Sequence, residues 1–137
     1  MPVVTSIMVV SKNRAEGDLI QSALRAVVGY DTRIMVSLNL AEAVRDSKSV
    51  TPQIGFCVDD GTSAQGGCAA SLRALRAAGI SCPVAIIRGE VTPQIKNRLM
   101  EIGAADVLNR DDVCGIRLRE GLLRMLARQT LADKSLA

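Results

Sequence analysis

The feature that most restricts this chain is an alternation repeated five times. A short apolar run ends in polar residues or glycine, and a longer segment with apolar residues at helical spacing follows it. The short runs lie at residues 5–10, 31–38, 54–58, 84–87 and 106–108. The segments between them have lengths that suit right-handed strand–helix–strand crossovers, so the pattern predicts one α/β domain built as a doubly wound parallel sheet with five helices. No repeat or low-complexity tract interrupts it. The central run, Ile54-Gly55-Phe56-Cys57-Val58, has neither helical nor alternating spacing and reads as a strand buried on both faces. It ends abruptly in Asp59, Asp60 and Gly61, which places two acids at the edge of the sheet where open α/β folds put their ligands.

Helix signals fill the intervals. Asn13 and Glu16 form a capping pattern before Leu19, Ala23, Leu24 and Val27, and Gly29 stops that helix. Asn39 and Glu42 repeat the pattern before Leu40, Ala43 and Val44. After a glycine-rich crossing at 61–67, Ala69, Leu72 and Leu75 mark a third helix with Arg73 and Arg76 on its wet side, closing at Gly79. Thr92-Pro93 supplies a cap and a first-turn proline for a fourth helix that buries Ile95, Leu99 and Ile102. In the last helix Leu118, Leu122 and Met125 close the core, but the helical pattern runs on through Arg128, Leu131 and Lys134. Residues 1–127 are therefore expected to form the domain. Residues 128–137 are expected to be a helical extension, either a basic tail or a connector to a partner helix.

Composition removes several functions. The chain of 137 residues has no His, which excludes His general bases, Ser/His and Cys/His pairs and most transition-metal sites. The cysteines, Cys57, Cys68, Cys82 and Cys114, lack C-x-x-C spacing, so buried thiols of a cytoplasmic protein are expected. With one Phe, one Tyr, no Trp and a net charge of +3, neither base stacking nor a strong pull toward nucleic acid or membrane is available. No leader-like segment and no apolar run of membrane length is present.

Four segments in order carry a resemblance. They are Ile7-Met8-Val9-Val10, Pro52-Gln53-Ile54-Gly55-Phe56-Cys57-Val58, Pro83-Val84-Ala85-Ile86-Ile87 and Gly103-Ala104-Ala105-Asp106-Val107-Leu108. With them the chain resembles the receiver (CheY-like) domain of bacterial response regulators over nearly its whole length. The Gly-Ala-Ala-Asp segment is the most specific. The resemblance implies a flavodoxin-like sheet with strand order 2-1-3-4-5.

The resemblance also implies a phosphorylation site, and the chain departs from it at each position. Where a receiver carries two Mg²⁺-holding acids after the first strand, this chain has Ser11 and Lys12. The phosphoacceptor position corresponds to Val58, counted from Pro52. The Ser/Thr after the fourth strand corresponds to Arg88, the aromatic switch residue to Val107, and the Lys-Pro pair to Arg110-Asp111. Lys12 would repel a divalent metal and Val58 has no nucleophilic atom, so neither Mg²⁺ nor any other cofactor is expected. Three arrangements are open to Asp59 and Asp60. One of them forms an ion pair with Lys12 or Arg110; a one-residue shift makes Asp59 the acceptor and Asp60 a metal ligand; or both are solvated.

The expected function is that of a pseudo-receiver: a non-enzymatic signalling module of a two-component or phosphorelay system, binding a protein partner or dimerising without phosphorylation. In the family, contacts use the fourth helix, fifth strand and fifth helix, which here implies Gln94, Asn97, Arg98, Arg117 and Glu120. The long last helix offers a second surface for self-association. One other reading is a small anionic ligand held by Lys12, Arg88 and Arg110. A third is a working acceptor at Asp59.

Overall fold

In a computed structural model, residues 4–59, 67–113 and 115–136 are described, apart from the side chains of 67–69, 115 and 128–136. Five parallel strands form one sheet in the order β2-β1-β3-β4-β5. They are β1 (Ser6–Val10), β2 (Arg33–Ser37), β3 (Ile54–Val58), β4 (Val84–Arg88) and β5 (Asp106–Asn109). The helices are α1 (Arg14–Val28), α2 (Leu40–Ser49), α3 (Gly67–Ala77), α4 (Pro93–Glu101) and α5 (Gly115–Leu136). The sheet is the flavodoxin-like one, and each strand lies within two residues of its expected bounds.

Side chains alternate across β1, so Ile7 and Val9 enter one core with Ile20, Leu24, Phe56, Leu118, Leu122 and Met125. Met8 and Val10 enter the other, with Cys57, Leu72, Leu75, Ile86 and Leu99. Both faces are covered, which is why the central strands are apolar throughout. Among the described residues, no helix is long and apolar enough to cross a membrane.

Local chemistry fixes the helix ends. The Asn13, Asn39 and Thr92 side chains each accept a hydrogen bond from the backbone three residues on, at Glu16, Glu42 and Ile95. Gly29 takes φ 83° and Gly79 φ 89°, positive values that end a helix without strain in glycine.

Two expected core residues are not in the core. Leu19 is 72% exposed and Ile102 is 44% exposed. In α1 the sheet-facing stripe is Gly17, Ile20 and Leu24, and Leu19 stands about 100° around the helix from Ile20. Ile102 is the C-cap of α4, past the turn whose Leu99 is buried. The glycine-rich crossing at 61–66, Cys114 and the side chains of Ala69, Arg128, Leu131 and Lys134 lie outside what is described.

Candidate functional site: the crevice at the C-terminal edge of the sheet

β1, β3, β4 and β5 all deliver their last residues to one edge. Ser11 follows β1 and is buried; its hydroxyl donates to the Asn13 carbonyl at 2.9 Å and receives the Asn13 N–H at 3.3 Å. Lys12, next in the chain, is exposed and lines a crevice of about 530 Å³ with Ser11, Asn13, Glu16, Val58 and Arg110. Val58 lies within β3, opposite Ile87, and the ladder continues one residue further, with the Asp59 N–H donating to the Ile87 carbonyl at 2.8 Å.

Asp59 is therefore held at the strand tip, and its side chain is only 4% exposed. Its carboxylate meets the Arg88 guanidinium, Nη1 to Oδ2, at 3.6 Å. Sequence reasoning paired Asp59 or Asp60 with Lys12 or Arg110. The Asp59 carboxylate pairs with Arg88, which β4 sets beside it in the parallel register and which the sequence reading had not named as a partner. Asp60 lies outside the described residues.

Arg110 begins a 3₁₀ turn (Arg110–Asp112) capped by Asn109. Its guanidinium reaches back over the crevice and donates to the Asp59 carbonyl at 3.2 Å. It also pairs with the Glu16 carboxylate, Nε to Oε2, at 2.5 Å. Glu16 entered the sequence reading only as a capping residue; nothing in its spacing announced an ion partner ninety-four residues away. Gly89 is the second residue missed. A Cβ there would stand 3.3 Å from Arg110 Nη1, so the bare glycine backbone makes room for the guanidinium.

Of the three cations expected to converge, Lys12 and Arg110 line one crevice and Arg88 is turned to Asp59. Beneath the edge, burial pushes the Cys57 thiol up to about 11, while a hydrogen bond with Ser71 pulls the other way.

The residues named for the partner face, Gln94, Asn97, Arg98, Arg117 and Glu120, are all exposed. Arg117 and Glu120 approach to 4.0 Å along α5. Val107 is buried in β5. Between α4 and α5 the reading missed a charged group. Asp106, 4% exposed in its side chain, meets Arg124 of α5 at 2.7 Å and Lys96 of α4 at 3.8 Å. An acid opening an apolar strand was the available signal. Among the described residues, no group of three His, Cys, Asp or Glu side chains is placed to hold a metal ion.

No family model and no curated protein matches the sequence. Solved structures do. The receiver domain of a putative LuxO repressor protein from Vibrio parahaemolyticus is 17% identical over 98% of each chain, with a TM-score of 0.73. A response regulator from Desulfuromonas acetoxidans is 24% identical over 90% of this chain and 97% of its own, at 0.70. The fold is the receiver fold. A putative pilus assembly-related protein from Burkholderia pseudomallei shares it too, at 15% identity over 93% and 92% of the two chains and a TM-score of 0.74. The receiver fold thus covers the sheet and its edge, but identities this low extend the likeness to the fold alone.

Proposed function

We propose that this chain is a pseudo-receiver: a signalling module of a two-component or phosphorelay pathway that acts through protein contacts or self-association and is not switched by phosphorylation. The observation that carries the reading is the Arg88–Asp59 pair, with Arg110 bonded to the Asp59 carbonyl and to Glu16. The carboxylate that follows the acceptor position in the chain is paired with a cation of the same domain. The donor set is also unsuited to Mg²⁺, which takes oxygen ligands in an octahedron. Ser11 and Lys12 replace the two acids, Ser11 is committed to the Asn13 backbone, and two guanidinium groups stand close by.

No catalytic role is assigned to any residue, and a cytoplasmic setting follows from a two-component role. The exposed residues of α4 and α5 on either side of β5 and the run of α5 past Leu126 are the surfaces we assign to partners, with residues 128–137 acting as a connector. Incubation with acetyl phosphate, or with beryllofluoride and Mg²⁺, is expected to leave the intact mass and the amide spectrum unchanged. A mass gain of one phosphoryl group that disappears in Asp59→Asn would overturn the proposal and make Asp59 a working acceptor.

A further inference from the structure

Six large apolar side chains stand exposed among the described residues, and three of them lie on α1 and α5. They are Leu19, Ile116 and Leu123, at 72%, 74% and 38% exposure. The two helices pack side by side over one face of the sheet and share a core of Ile20, Leu24, Leu118 and Leu122. Each has a second apolar side, turned away from that core. In α1, Ala15, Leu19, Ser22 and Ala26 are exposed and uncharged at helical spacing. Arg14, Asp18 and Arg25 fall about a quarter-turn away, and Glu16 is turned to Arg110. In α5, Ile116 and Leu123 are seven residues apart, within about 20° of one line along the helix. We infer that this outer face pairs with the same face of a second copy of the chain, α1 of each against α5 of the other. The pairing goes beyond the pseudo-receiver reading and adds a surface to those assigned above.

A second copy is the occupant because large and small residues on the two helices are complementary in order. Both helices leave the same edge of a parallel sheet, so they run in the same direction. Ala15 and Leu19 line one hollow with Val113, just ahead of α5, which makes the first turns of the two helices level. Along α1 the order is small, large, small: Ala15, Leu19, Ser22. Along α5 it is large, recess, large, with Leu123 about 10.5 Å beyond Ile116. A twofold axis parallel to the helices lays α1 along α5 of the partner in the same direction. Leu19 then enters the recess between Ile116 and Leu123 of the partner, while those two side chains lie over Ala15 and Ser22. The symmetry makes the fit twice. Small residues opposite large ones let helices approach to the usual 8–10 Å or so. The face is about 22 Å long and about 20 Å wide, of the order of the roughly 800 Å² per partner that specific dimers bury. Arg119 and Glu120, which flank the recess, are opposite in sign, so the face does not select a partner of one charge.

Sedimentation equilibrium of the full chain is expected to show monomer and dimer exchanging in the micromolar range. Leu19→Lys and Ile116→Glu change exposed side chains and should fold, which circular dichroism checks. Each alone puts its charge into both symmetry-related contacts and is expected to weaken dimerisation about tenfold or more. Mixed in equal amounts, the two variants are expected to dimerise again. One contact of the mixed dimer then sets the introduced ammonium against the introduced carboxylate, and the other contact is unaltered. A monomer throughout the micromolar range overturns the inference. So does a dimer undiminished in both variants, which puts self-association on another surface, such as the run of α5 past Leu126. Two weakened variants whose mixture stays monomeric overturn the pairing of α1 with α5. None of these results depends on whether Asp59 accepts a phosphoryl group, so this inference and the pseudo-receiver reading fail separately.

Discussion

At the scale of single residues, the decisive pair is Arg88 and Asp59. Both side chains are largely withdrawn from water, at 15% and 4% exposure, so removing one partner takes away a compensating charge that water cannot replace. Arg88→Met is expected to cost about 3 kcal/mol in urea unfolding, and Asp59→Asn in that background to recover most of it. Additive losses in the double variant would mean that the two groups do not act as a pair. The Arg88 Nε is buried without a hydrogen-bond partner, so the guanidinium is held by charge more than by full donor satisfaction. The resemblance to receivers implied a hydroxyl side chain where Arg88 stands; it did not say which acid answers the arginine. That depends on the register of β3 against β4, which sets Asp59 level with Arg88, and no local pattern encodes a choice between Lys12, Arg88 and Arg110 as partner.

At the scale of elements, two arginines perform one task in two places. Arg25, in the last turn of α1, donates to the carbonyls of Gly29 and Thr32. Arg76, in the last turn of α3, donates to those of Ile80 at 2.8 Å and Cys82 at 2.7 Å. Each follows its helix with a positive-φ glycine, so a charged side chain ties the helix exit to the approach of the next strand. The glycines and the helical spacing were legible in the sequence, whereas Arg76 read only as a wet-side cation. The contact of α1 with the sheet was less legible. Gly17 sits inside α1, where alanine would ordinarily be better by up to about 1 kcal/mol. A Cβ at Gly17, however, would lie 2.9 Å from Val36 Cγ1, on a branched side chain of β2 that cannot swing aside. The clash outweighs the propensity, and Gly17→Ala is expected to lower stability by about 1–2 kcal/mol in a thermal or urea melt. A stabilised variant would show that α1 can lift off β2 freely.

At the scale of the whole molecule, stability should fall in alkali for an identifiable reason. Burial raises the thiols of Cys57 and Cys82 from an ordinary 9.0 to about 11. The unfolded chain loses these protons near pH 9, whereas the folded chain keeps them until about pH 11, so the contribution is intact below pH 9 and is lost between pH 9 and 11. Each thiol accounts for roughly 2–3 kcal/mol over that window. Replacing both with Ala should flatten the alkaline limb of a stability–pH curve; an unchanged limb would count against burial as its cause. The fold as a whole was the most readable level. Five apolar runs, three capping residues and two terminal glycines agree on one topology, and each describes a contact made within a few residues. Leu19 and Ile102 were misread because periodicity names a stripe but not its width: a helix that needs only Gly17, Ile20 and Leu24 against the sheet leaves the next apolar position to solvent. The crevice was half readable. Its replaced residues were visible, but its internal pairings join positions as far apart as Glu16 and Arg110.

The close approach of Arg110 to the backbone at Gly89 carries an evolutionary corollary. A Cβ at 89 would press the guanidinium to give by a few tenths of an ångström against its bonds to Glu16 and the Asp59 carbonyl. Sequences that drift from this one are thus expected to gain a side chain at 89 more readily once 110 has shortened, and a lineage that keeps the arginine gains by keeping the glycine.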